Sequence, residues 1–128
     1  MIITVNTPRG NKATLEYTYD LPKLFRDAYT VNNHVMILPT REDDWGFLIH
    51  ELTHVDQWYR YRFFNLRYNR LQWFRKKMEA EAYAAQLMAD PDENNIAEYS
   101  KLLSQNYNLG ITEKEAETAI LEAAKGIG

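Results

Sequence analysis

The stretch Trp45-Gly46-Phe47-Leu48-Ile49-His50-Glu51-Leu52-Thr53-His54-Val55-Asp56-Gln57-Trp58-Tyr59 decides how this chain folds and what chemistry it can carry. Trp45, Leu48, Leu52, Val55, Tyr59 and Phe63 recur at three and four residues, the period of a helix with one apolar face. Thr40-Arg41-Glu42-Asp43 in front of them has the pattern of a capping box, so the reading is one long helix over about 41–64. At about 100° per residue, His50 and His54 fall about 40° apart and leave the helix on one side, where both imidazoles can grip one metal ion. Trp45, Leu48, Ile49, Leu52, Val55, Tyr59 and Phe63 are read onto the opposite side. Glu51, about 100° from His50, stands beside such a metal and can take a proton from water. Shuffling this composition produces an H-E-x-x-H pattern roughly 0.004 times in a chain of this length, so accident is a poor account of it.

On either side of this helix the pattern changes. After a break near residues 65–69, a second helix runs over about 71–89 and stops at Asp90-Pro91. Two shorter helices follow over about 93–106 and 112–125, separated by Asn108-Leu109-Gly110. Ahead of the motif, Ile2, Ile3 and Val5 form a short extended run, and Ala13, Leu15, Tyr17 and Tyr19 alternate with polar neighbours. Pro8-Arg9-Gly10-Asn11 between them is turn chemistry, which makes a hairpin. Asp20 can cap a short helix from Pro22 to about Tyr29. Val35-Met36-Ile37-Leu38 reads as a third strand, placed at a sheet edge because Pro39 cannot donate to a ladder. The fold class is therefore α+β in one domain over 1–128. A small antiparallel or mixed sheet in 1–40 packs on an active-site helix and a glutamate-bearing helix in 41–90, and two C-terminal helices complete 91–128.

Composition narrows the function. With 45% hydrophobic and 26% charged residues the chain is globular rather than disordered, and with no cysteine it has no disulfide, thiol nucleophile or cysteine-held zinc. Any metal must be held by His, Asp or Glu. The aliphatic run Val35 to Leu38 is far short of the ~20 residues a bilayer needs, and Met1-Ile2-Ile3-Thr4 lacks a basic leader, so the expectation is a cytoplasmic protein with no membrane contact. The net charge of −3 hides a block at 60–77 with seven basic and no acidic residues, followed by a tail with three basic and ten acidic ones. Tyr61, Phe63, Phe64, Tyr68, Trp73 and Phe74 interleave with that block, a combination that would suit nucleic acid. The preferred reading is a solvated helical face partnered by the acidic tail, in the same molecule or in a second copy.

A catalytic zinc needs a third protein ligand and an open position. His34 can approach the metal, line a cleft or sit in a loop, the last being the default. A better ligand lies in Met78-Glu79-Ala80-Glu81-Ala82-Tyr83, where the two glutamates are about 200° apart on a helix and only one can face the first helix. Glu79 shares its side with Ala82, Tyr83 and Gln86, and small Ala82 admits a close approach, so Glu79 is preferred over Glu81. The alternative is ordinary helix surface, with Glu79 meeting Arg75 and Glu81 meeting Lys77 at four-residue spacing.

An H-E-x-x-H helix followed by a helix with E-x-E-A-Y resembles the gluzincins, zinc peptidases whose third ligand is a glutamate on the next helix. The short chain, with strands before the motif, is similar to the single-domain minigluzincins, and H-E-L-T-H-V-D-Q, with Gln57 beyond His54, resembles bacterial and phage proteins of this type. The resemblance covers about residues 35–90. It implies one zinc ion per chain held by His50, His54 and Glu79, with Glu51 as the base in peptide-bond hydrolysis and a peptide or protein as substrate. It also implies alignment of an extended substrate along the strand 35–39. In related membrane-linked peptidases an Asp four residues after the ligand glutamate orients a histidine; Tyr83 stands there in this chain. Tyr83, His34 and other tyrosines are candidates for stabilising the oxyanion. A catalytically weak scaffold, acting as a structural component of a larger assembly or a homo-oligomer, is the alternative function.

Overall fold

A computed structural model describes residues 1–22, 25 and 27–127, with the Glu93 side chain excepted. It is α+β, with a four-stranded mixed sheet followed by five α-helices among the described residues. The chain divides into two compact units, Met1–Phe63 and Phe64–Gly128, each with its own apolar core.

In the first unit, β1 (Ile2–Asn6), β2 (Lys12–Tyr17), β3 (Ala28–Val31) and β4 (His34–Ile37) form a sheet in the order β1-β2-β4-β3. β1 and β2 are an antiparallel hairpin whose turn uses Gly10 at φ 87°, a conformation that suits a residue without Cβ. β2 and β4 run parallel, and β3 and β4 pair antiparallel across Asn32-Asn33, with Asn32 at φ 56°. β4 is therefore interior, not the edge strand expected. It ends at Ile37, and Pro39 opens a 3-10 turn over Pro39–Arg41, so the missing N–H falls outside the ladder. The edge beside β4 is β3. The short helix expected over Pro22 to Tyr29 falls partly on Lys23, Leu24 and Arg26, which lie outside the described residues, while Ala28 and Tyr29 are strand. Tyr29, Thr30 and Val31 favour that choice, since β-branched and aromatic side chains fit a half-buried pleat.

Helix α1 (Trp45–Arg60) starts four residues later than expected because Asp44, not Thr40, caps it, accepting from Phe47 N at 3.0 Å. Arg41 pairs with Asp44 at 2.8 Å and with Asp27 at 3.4 Å and lies over the Phe47 ring, tying the strand end to the helix start. Leu52 and Val55 bury against Ala13, Leu15, Val35 and Ile37, each contributing about 1.5–3 kcal/mol to holding the helix on β3 and β4. The expected apolar stripe is used only at its middle: Trp45, Tyr59 and Phe63 are exposed, and the Tyr59 hydroxyl instead donates to Lys12 O at 2.7 Å. The helix ends at Arg60, and Phe63 takes a left-handed φ of 57°, unfavourable for a bulky residue.

In the second unit, α2 (Phe64–Arg70) occupies the place where a break was expected. It is followed by α3 (Gln72–Ala89), α4 (Glu93–Asn106) and α5 (Glu113–Ile127). Ala80, Tyr83 and Ala84 of α3 pack with Tyr99, Leu103, Leu109, Ala116 and Ile120, so the buried apolar residues of α4 and α5 complete the core on α3. Asn108 and Gly110, both at positive φ, turn the chain between α4 and α5, and Thr112 and Glu115 form a reciprocal capping box. The basic block is not a wholly solvated face. The Arg75 guanidinium donates to Tyr107 O at 2.9 Å and Tyr68 O at 2.8 Å, and Arg67 lies 4.3 Å over the Phe74 ring.

Candidate functional site

The first unit carries His50, Glu51 and His54 together on α1. Four-residue spacing puts the two imidazoles one turn apart, with ring centroids 5.0 Å from each other and planes at 78°. His50 is 4% exposed and His54 half-buried. His54 Nδ1 lies 2.8 Å from Oε1 of buried Gln57; a carbonyl oxygen can only accept, so Nδ1 carries the proton and Nε2 the lone pair. That is the tautomer a metal-ligating histidine needs. Glu51 projects toward β3, where Thr30 Oγ1 donates to its Oε2 at 2.6 Å, fixing the carboxylate of the candidate base. Two residues beyond His54, buried Asp56 accepts from the Thr7 hydroxyl, from Asn11 Nδ2 at 2.8 Å and from Arg9 N at 3.1 Å. The motif helix is thereby tied to the β1–β2 turn.

His34 is not a loop residue. It is the first residue of β4, its Nδ1 2.6 Å from Thr14 Oγ1 and its Nε2 3.2 Å from Glu16 Oε1. Both ring nitrogens are engaged by the neighbouring strand, which removes it from the candidates for metal ligand and oxyanion donor.

The second unit carries Glu79 on α3, 3% exposed, with the Tyr68 hydroxyl donating to its Oε2. Ala82, Tyr83 and Gln86 are buried on the same side of the helix, whereas Glu81 is half-exposed. The Arg75 guanidinium, which spacing offered to Glu79, goes to backbone carbonyls. Tyr83 stacks on Tyr99 and pairs its hydroxyl with Tyr107 at 2.8 Å. Burial, then the Glu79 charge, push the Tyr107 phenol well above its ordinary range.

Thr30 and Tyr68 were missed in the sequence because each meets its carboxylate from another element, with no period to betray it. Gln57 was visible, three residues beyond His54, but its hydrogen bond was not assigned. Comparison of the chain with protein-family models, with curated proteins and with solved structures finds no match.

Proposed function

We propose that this chain is a zinc-dependent peptidase, with His50, His54 and Glu79 as ligands and Glu51 as general base. The observation that carries the reading is the His50–His54 pair with Glu51 beside it. Two imidazoles stand one turn apart on one helix, one of them fixed in the Nε2 lone-pair tautomer by Gln57, with a carboxylate between them in sequence held by Thr30. The donor chemistry fits zinc: two imidazole nitrogens and one carboxylate oxygen are ligands that zinc takes, and three of them would leave a fourth position open. Zinc bound there would polarise the scissile carbonyl and acidify water. Glu51 would accept the proton of the attacking water and return it to the leaving amine, and Thr30 would keep its carboxylate aimed through both transfers. An extended substrate would add to the sheet at β3, which replaces β4 as the edge beside α1. The test is Glu51→Gln, which leaves the ligands in place. The variant should keep wild-type zinc content and lose peptidase activity on an unfolded substrate by several orders of magnitude, whereas unchanged turnover would show that Glu51 is not the base.

A further inference from the structure

We infer that Tyr68 is a positioning residue for the metal ligand Glu79, and that α2 serves to deliver it. The inference rests on the reading of Glu79 as third ligand and goes beyond it by naming what holds the carboxylate. A glutamate side chain has three rotatable bonds, so a buried ligand of this type needs a partner that selects one rotamer and one oxygen. Tyr68 supplies it: its hydroxyl donates to Oε2 of Glu79 and so holds the carboxylate in one orientation. Tyr83, one turn further along α3, pairs its hydroxyl with Tyr107 and stacks on Tyr99.

The placement of Tyr68 is built rather than accidental. α2 has seven residues, too few to be stable alone, and contacts from α3 hold it. Phe64 is buried with its ring 5.9 Å from Phe74 and 5.8 Å from Tyr68, and Arg67 lies over the opposite partner of that pair, Phe74. Arg75 reaches back from α3 to the carbonyl oxygens of Tyr68 at 2.8 Å and Asn69 at 3.4 Å, binding carbonyls near the C-terminal end of α2. One cation from the basic block thus fixes the backbone of the residue whose side chain fixes Glu79.

The test is zinc affinity of the full chain, measured by competition with a chromophoric chelator for wild type, Tyr68→Phe and Glu79→Ala, together with visible spectra of the cobalt-substituted proteins. Tyr68→Phe keeps the ring and its packing but takes one donor from the buried Glu79 carboxylate, so the metal-free protein should stay folded and melt a few degrees lower than wild type. Its zinc dissociation constant should rise about 10- to 100-fold, and its cobalt bands should shift as the carboxylate changes its mode of binding. Glu79→Ala should weaken zinc further. If Glu79→Ala weakens zinc while Tyr68→Phe matches wild type in affinity and spectrum, Tyr68 has no positioning role and the ligand assignment stands. If Glu79→Ala binds zinc as wild type does, or wild type binds none, the ligand assignment fails and the inference falls with it. Should Tyr68→Phe not fold, Arg75→Lys, which leaves the phenol in place and loosens its backbone clamp, should raise the dissociation constant several-fold; an unchanged value would overturn the inference.

Discussion

Replacing Asp56 by alanine should destabilise the metal-free protein by about 3 kcal/mol, and the figure can be assembled from its partners. The carboxylate is 5% exposed and accepts three hydrogen bonds from the β1–β2 turn. The Thr7 hydroxyl is itself buried, so losing its acceptor costs about 1–3 kcal/mol, while the Arg9 N–H and Asn11 amide, nearer solvent, lose about 0.5–1.5 kcal/mol each. Release of a desolvated charge offsets part of that sum. Asp56→Asn keeps an acceptor for Thr7 and Asn11 and turns an amide N–H toward the Arg9 N–H, so its cost should be about 1–2 kcal/mol. Thermal and urea unfolding followed by far-ultraviolet circular dichroism would measure both, with the alanine variant melting about 10 °C lower. The reasoning is refuted if Asp56→Ala lies within about 0.5 kcal/mol of wild type, or if Asn and Ala cost the same, since the number of satisfied donors would then not set the energy.

Thr30→Val removes only the hydroxyl on Glu51; kcat should fall about tenfold with KM and zinc content unchanged, and Thr30→Ser should restore it, as steady-state kinetics on a peptide would show. Leu103→Ala should cost about 2–5 kcal/mol in urea unfolding, because this side chain is fully enclosed in the core that α4 and α5 complete on α3. Tyr107 makes stability fall at alkaline pH. Its phenol titrates higher folded than unfolded, so the contribution is complete below the unfolded pKa of about 10 and is lost as pH rises through the folded value. Tyr107→Phe, which also gives up the Tyr83 hydrogen bond and about 1 kcal/mol near neutrality, should show a shallower alkaline decline in melting temperature.

What the sequence revealed follows from where its signals are local. The α+β class, the β1–β2 hairpin and the separation of α4 from α5 rest on alternation and on Gly10, Asn108 and Gly110, residues whose backbone preferences act in place. His50, Glu51 and His54 were legible because helical spacing alone puts them together. The boundaries of α1 were not: Asp44 outcompetes Thr40 as cap because Pro39 sets a 3-10 turn first, and nothing in Phe63 announces a left-handed backbone. The strand order was misread for one reason. Residues 28–31 were assigned in part to a helix, which removed the true edge strand and left β4 to take its place. Thr30 and Tyr68 were invisible because each meets its carboxylate by tertiary contact across 21 and 11 residues of sequence. The basic block looked solvated because a count of charges cannot tell an arginine in water from one that binds carbonyls, as Arg75 does.

The central claim is a metal site built on α1, and the zinc content of the purified full chain, measured by mass spectrometry of the element after dialysis against zinc and then buffer, tests it most directly. The account predicts close to one zinc per chain in wild type and in Glu51→Gln, none in His54→Ala, a strong loss in Glu79→Ala and wild-type content in Glu81→Ala. A wild-type chain that emerges metal-free, or a His54→Ala variant that holds as much zinc as wild type, would contradict it.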